Sequence, residues 1–216
     1  MTRILLAFFV LSAFTLKAQP VIKGGLEKFV TANNIYPRYS LHNCIQGTVI
    51  ISFKVNKGGE VYESKVSSGI GTDLDDEALR LIRMSSGKWI VPQDHDTTVS
   101  LIAPIKFNLS GYDCDQKRPE DIKRAIIAYK TSEDLTNSIQ NFYKNKEKGT
   151  YREDEEPRFV ALKEELGYDD AYFKERISDG LKKIKQKDKQ GACEDFLFVK
   201  YMGSNLANEM LEKYCK

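Results

Sequence analysis

GTVIISFKV (47–55) and SLIAPIKFNL (100–109) read as two strands of one sheet, and their alternation decides the fold. In the first, Val49, Ile51, Phe53 and Val55 fall on one face and Thr48, Ser52 and Lys54 on the other, the period-two pattern of a half-buried strand. In the second, Leu101, Ala103, Ile105, Phe107 and Leu109 share a face opposite Ser100, Lys106 and Asn108. Pro104 lacks the N–H that a ladder uses, so this strand belongs at a sheet edge or at a bulge. Between the two, Lys57-Gly58-Gly59-Glu60 offers positive-φ residues for a tight hairpin, and Val61 to Ser67 forms a further strand with less regular alternation. After the break at Ser68-Gly69-Ile70-Gly71, Leu74, Ala78, Leu81 and Ile82 give a helix its buried face. Thr72 or Asp73 caps it, Gly87 ends it and Trp89 closes the core. Asp73, Asp75, Asp76 and Glu77 invite a metal or catalytic reading. Carboxylates in a first helical turn are better explained by the helix dipole and the unpaired N–H groups there.

Upstream, Arg3, the mostly apolar run Ile4 to Leu16 and the site Leu16-Lys17-Ala18 read as a secretory signal peptide over residues 1–18. An uncleaved anchor is the weaker alternative, because such a run spans about 20 Å of helix against the roughly 30 Å core of a bilayer. No cysteine follows closely enough for lipid attachment. The full chain holds 33 basic and 31 acidic side chains, and Arg3 and Lys17 leave with the leader, so the exported protein is neutral. Each half is also balanced by itself, which counts against nucleic acid or anionic lipid as a partner. Gly24-Gly25 opens a short amphipathic segment with Leu26, Phe29 and Val30 on one face, ending at Asn33-Asn34. Ile35-Tyr36-Pro37-Arg38-Tyr39 then runs extended, since a residue before proline leaves the helical region.

The order Tyr36-Pro37, the Gly47 to Val55 strand, Gly58-Gly59, Ser67-Ser68-Gly69, Leu74-Asp75-Asp76-Glu77-Ala78, Trp89 and Pro104-Ile105-Lys106-Phe107 resembles the C-terminal domain of TonB-like proteins. The resemblance covers about ninety residues, from Gly24 to Leu109. It implies an α+β fold, a small three-stranded antiparallel sheet with helices on one face, that receives an extended segment of an outer-membrane transporter as a further strand. Carried onto this chain, the peptide would lie along Tyr36, Pro37, Leu101, Ile102, Ala103, Pro104, Ile105, Lys106 and Phe107. The plainer alternative for Tyr36-Pro37 is a connection that packs Tyr36 onto the sheet. Family members that transmit energy have a membrane anchor and a proline-rich spacer; this chain has six prolines, none clustered, and no anchor is expected after leader removal.

The strand order bears on Cys44, Cys114, Cys193 and Cys215, none of which lies in a C-x-x-C pair or at a metal-ligand spacing. In an exported chain an even count points to disulfides. A strand-helix-strand connection makes the middle and last strands parallel, so the simplest antiparallel sheet inserts the first strand between them. Cys44 then sits beside Cys114. Beyond a linker at 111–118, the chain from Pro119 changes to helical spacing, with Ile122, Ala125, Ile126 and Tyr129, then Leu135, Ile139, Phe142 and Tyr143. Gly149 to Pro157 reads as a solvated loop and the lysines from Lys182 to Lys189 as an exposed helix face. Gly191 to Tyr201 and Asn205 to Cys215 resemble a tetratricopeptide-like helix pair, which returns Cys215 alongside Cys193.

The organisation expected is a leader at 1–18, the α+β domain at 19–110 and an all-α module at 119–216. No nucleophile with a base, phosphate loop or cofactor motif is present, and Asp94-His95-Asp96 reads as a polar turn, so neither catalysis nor a cofactor is expected. Two functions remain. One is an envelope protein whose sheet edge binds an extended peptide of an outer-membrane transporter or another envelope protein. The other is a periplasmic or secreted scaffold acting through the helical module.

Overall fold

The computed structural model describes residues 19–216; the segment read as a signal peptide lies outside the described residues. The chain runs β1 (Val21–Ile22), α1 (Leu26–Asn33), α2 (Arg38–His42), β2 (Gly47–Val55), β3 (Val61–Ser68), α3 (Asp73–Met84), β4 (Trp89–Ile90), β5 (Leu101–Phe107), then α4 (Pro119–Glu147), a 3-10 turn (Glu153–Glu155), α5 (Glu156–Glu165), α6 (Asp170–Lys185), α7 (Lys189–Tyr201) and α8 (Asn208–Tyr214). The fold is α+β: a three-stranded antiparallel sheet with helices, followed by a helical region. Sheet order is β3-β2-β5, with β2 antiparallel to both neighbours. Val49, Ile51, Phe53 and Val55 of β2 and Ala103, Ile105 and Phe107 of β5 point at one face, where Leu74, Ala78, Leu81 and Ile82 of α3 cover them. All are buried, so the two periodicities in the sequence meet in one core.

The hairpin turn is fixed from two sides. The Asn56 carboxamide oxygen accepts from the N–H of Gly58 and of Glu60 at 2.9 and 3.0 Å. Gly59 takes φ 78° while Gly58 stays at negative φ, and a Cβ on Gly59 would lie 2.5 Å from the carbonyl oxygen of Trp89. Only glycine meets both demands. Two features extend the expected sheet domain. Val21–Ile22 and Trp89–Ile90 form a second, two-stranded ladder, which brings Trp89 within 5.2 Å of the Phe53 ring. The stretch expected to be extended through Tyr39 is so only to Pro37, which stands at the N-cap of α2 with ψ 145°, and Arg38 and Tyr39 are helical. A five-residue helix carries no periodic signal. It is held from afar, by the Asp73 carboxylate that accepts from the N–H of Tyr39 at 3.1 Å and from the Ser40 hydroxyl.

The acidic first turn of α3 therefore works as loop anchor more than as helix cap. Asp75 accepts from the N–H groups of Ile70 and Gly71, both at 2.9 Å, and Glu77 from that of Ile35 at 2.8 Å. Thr72 holds the N-cap position but makes no side-chain cap, its hydroxyl meeting that of Ser40 at 3.1 Å.

Helix α4 is one continuous element of 29 residues that serves two cores. Ile122, Ala125 and Ile126 pack on the sheet core, and the Tyr39 hydroxyl donates to the Ala125 carbonyl at 2.7 Å. Ile139 and Phe142 are buried further on, Ile139 with Phe173 and Phe196 in the helical core, while Leu135 is 39% exposed. The solvated loop is shorter than the sequence suggests, because Pro157 lies in the first turn of α5, where its missing N–H costs nothing. Lys183 is not simply an exposed lysine: it pairs with Asp195 at 2.7 Å, as does Arg176 at 2.8 Å, and Asp195 is buried. Gly180 lets α6 and α7 close up, since a Cβ there would lie 2.5 Å from the Phe196 ring. Cys44 is bonded to Cys114 and Cys193 to Cys215, one bridge in each half.

Candidate functional site

A three-stranded sheet has two edges, and here they differ. Along β3 the register with β2 shifts between Ser52 and Lys54, and Glu63 adopts φ 49°, so the strand bulges. The Gln190 carboxamide of α7 fits there. Its Nε2 donates to the Ser64 carbonyl at 2.7 Å, and its Oε1 accepts from the Ser64 N–H at 3.0 Å. That is the pairing a neighbouring strand would make with Ser64. Arg83, itself buried, holds the same corner: its Nε donates to the Ser64 hydroxyl at 2.8 Å and its two terminal nitrogens to Glu194, each at 2.7 Å. The helical module thus closes the β3 edge at its bulge. Replacing Gln190 by Ala leaves the N–H and C=O of Ser64 without these partners, which is expected to cost about 1–3 kcal/mol. Thermal denaturation together with amide exchange at Ser64 checks it; an unchanged melting temperature with full protection would contradict the closure.

The other edge is β5. Among the described residues it pairs with β2 alone, in an unbroken register from Gly47↔Phe107 to Phe53↔Leu101. Pro104 sits in the middle, opposite Ile50. A proline fits an unbroken ladder where its nitrogen points away from the paired strand, so by alternation Ile102 and Lys106 also turn their N–H and C=O groups outward. The edge consequently offers N–H donors at Ile102 and Lys106 and only a carbonyl at Pro104. Side chains follow the same alternation: Ala103, Ile105 and Phe107 are buried, while Ile102, Pro104 and Lys106 are exposed. Leu101 is half-buried at the start of the strand.

Tyr36 lies at the far end of this strand. Its ring meets Phe107 edge-on at 5.9 Å, and its hydroxyl donates to the Ile45 carbonyl at 2.5 Å. Burial, reinforced by the nearby Asp73 charge, pushes the phenol up to about 12, so it stays protonated and donating. Pro37 departs into the start of α2. Tyr36 is thereby brought to the end of β5 as a support beneath Phe107, and Pro37 turns the chain away.

At the near end of β5 the structure assembles residues that sequence reasoning missed. Val21, Ile22, Leu26, Trp89, His95 and Val99 line a groove with Phe53, Leu101 and Ile102. They come from four separate segments, so no spacing in the sequence joins them; the nearest signal is Asp94-His95-Asp96, which reads as a polar turn. That tripeptide does form a turn, in which Asp96 accepts from the N–H and the hydroxyl of Thr98 at 2.9 and 2.7 Å. Lys57 fastens it by donating to the carbonyls of Gln93 and His95, both at 2.6 Å.

Neither a curated protein nor a solved structure matches the chain. Residues 32–109 match the family model for the Gram-negative bacterial TonB protein C-terminal, a span that runs from the end of α1 to just past β5 and contains the whole three-stranded sheet. With the β3-β2-β5 order and α3 packed across one face, residues 32–109 form a TonB C-terminal-like domain, and a helical region follows it.

Proposed function

We propose that this is a non-catalytic, exported cell-envelope protein whose β5 edge binds an extended peptide of an outer-membrane transporter or another envelope protein by taking it as a fourth strand. The observation that carries the reading is the asymmetry of the sheet: α7 occupies the β3 edge through Gln190, while β5 presents outward N–H and C=O groups with no strand against them among the described residues. The TonB C-terminal match supports an envelope protein that interacts with outer-membrane proteins, and two disulfides are compatible with export. Among the described residues no helix is long and apolar enough to cross a membrane.

Single cysteines placed along Leu101 to Asn108 and tested for crosslinking to transporter plug peptides examine this. Crosslinks that peak at the outward positions Ile102, Pro104 and Lys106 are expected. No crosslink on this strand, with crosslinks on α4 to α8 instead, would replace the reading by a scaffold that acts through the helical region.

A further inference from the structure

Where β5 begins, a groove of about 570 Å³ opens beside the edge. Phe53, Trp89 and Leu26 contribute to its lining, and Val21, Val99 and Ile102, which are 55%, 51% and 61% exposed, also lie along it. Three large apolar side chains left in water around one concavity mark a surface that a partner covers. One polar atom stands out among them. His95 lines the groove, and its Nε2 is buried with no hydrogen-bond partner among the described residues. Buried ring nitrogens are ordinarily paired, so an occupant that brings a hydroxyl would complete this one. Charge adds a third constraint: Asp94 also lines the groove, and among the described residues no lysine or arginine does. Finally, Pro104 removes one donor from the middle of the edge, so a strand added there makes fewer main-chain bonds and depends more on a side-chain pocket.

We propose that this groove is the side-chain pocket of the β5 edge and that it takes a tyrosine of the added strand, flanked in the peptide by a lysine or arginine. The proposal rests on the β5-edge reading given above. A tyrosine ring buries against Phe53 and Trp89, and its hydroxyl reaches His95 Nε2. An aliphatic side chain would leave that nitrogen unpaired, and a cation would be desolvated against the apolar lining. The flanking basic residue stays in water at the mouth, facing Asp94.

The test uses the exported protein and a fluorescein-labelled peptide of alternating threonine and valine with one central lysine-tyrosine pair, read by fluorescence polarisation. Changing the tyrosine to serine is expected to weaken binding by about 20-fold or more, and changing it to phenylalanine by about 5-fold. Changing the lysine to glutamate should weaken it by about 5-fold in low salt and less in high salt. His95→Leu should abolish the preference for tyrosine over phenylalanine while leaving the serine peptide unaffected. The same peptide with alternate backbone nitrogens methylated reports on strand addition without any change to the protein. Loss of binding on methylation, with tyrosine and serine peptides equal, overturns the pocket and leaves the edge standing. Binding that survives methylation overturns both.

Discussion

Removing the bridge between Cys44 and Cys114, by the paired change Cys44→Ala and Cys114→Ala, is expected to cost about 4 kcal/mol and to lower the melting temperature by roughly 10 °C. The size follows from the sequence separation of 70 residues, because a crosslink that closes a long loop removes much of the freedom of the unfolded chain. The bridge from Cys193 to Cys215 closes 22 residues, and its removal is expected to cost about 3 kcal/mol. Position gives the first bridge a second consequence. Cys44 precedes β2 and Cys114 follows β5, and the adjacent ladder pair is Gly47↔Phe107, so the bridge ties the two strands at the end where Tyr36 supports Phe107. In its absence that end of β5 frays first, and peptide binding falls before the domain unfolds. Urea titration and peptide affinity, measured on both paired variants, check this. A loss under about 1 kcal/mol for the first pair, or equal effects on binding from both pairs, would refute it.

The core of the sheet domain was legible because β2, β5 and α3 each turn a periodic set of apolar side chains to one face. Val49 through Val55 and Leu101 through Phe107 alternate, and Leu74 through Ile82 follow helical spacing, so period alone gave the inner faces. Pro104 named the edge for the same kind of reason, a missing donor. What stayed hidden depends on pairs distant in sequence. Gln190 and Ser64 are 126 residues apart, and an exposed-looking glutamine at the start of a helix carries no sign that it will finish a sheet edge. Asp73, Asp75 and Glu77 read as dipole partners of their own helix because local electrostatics is all that a sequence displays, whereas they also accept from the backbone N–H groups of Tyr39, Ile70, Gly71 and Ile35. The groove is the extreme case. Its lining joins β1, α1, β4 and the loop before β5, and the ladder that places β1 there is only two residues long. Helix α4 shows an intermediate outcome: its two apolar groups were visible, but that they face different cores became clear only with the partners in place.

The same alternation that made β5 legible also separates what holds it from what it offers, and two substitutions should divide cleanly along that line. Phe107 is 1% exposed, packs within the sheet core and carries Tyr36 on its edge. Phe107→Ala deletes a fully buried ring and leaves a cavity that β2 and α3 cannot collapse to fill, which is expected to cost about 3–5 kcal/mol. Ile102 is 61% exposed on the opposite face, so Ile102→Ser should change stability by no more than about 0.5 kcal/mol. Binding should invert the order. Ile102 borders both the outward edge groups and the groove, so its loss weakens a tyrosine-bearing peptide directly. Phe107→Ala, assayed well below its melting temperature, keeps the edge groups of Ile102 and Lys106 and loses affinity only to the extent that the far end of the strand loosens. Chemical denaturation and peptide titration of the two variants side by side give the answer. If Ile102→Ser proved the more destabilising, β5 would be turned the other way about, with its groove-side residues in the core and its edge unavailable to a partner.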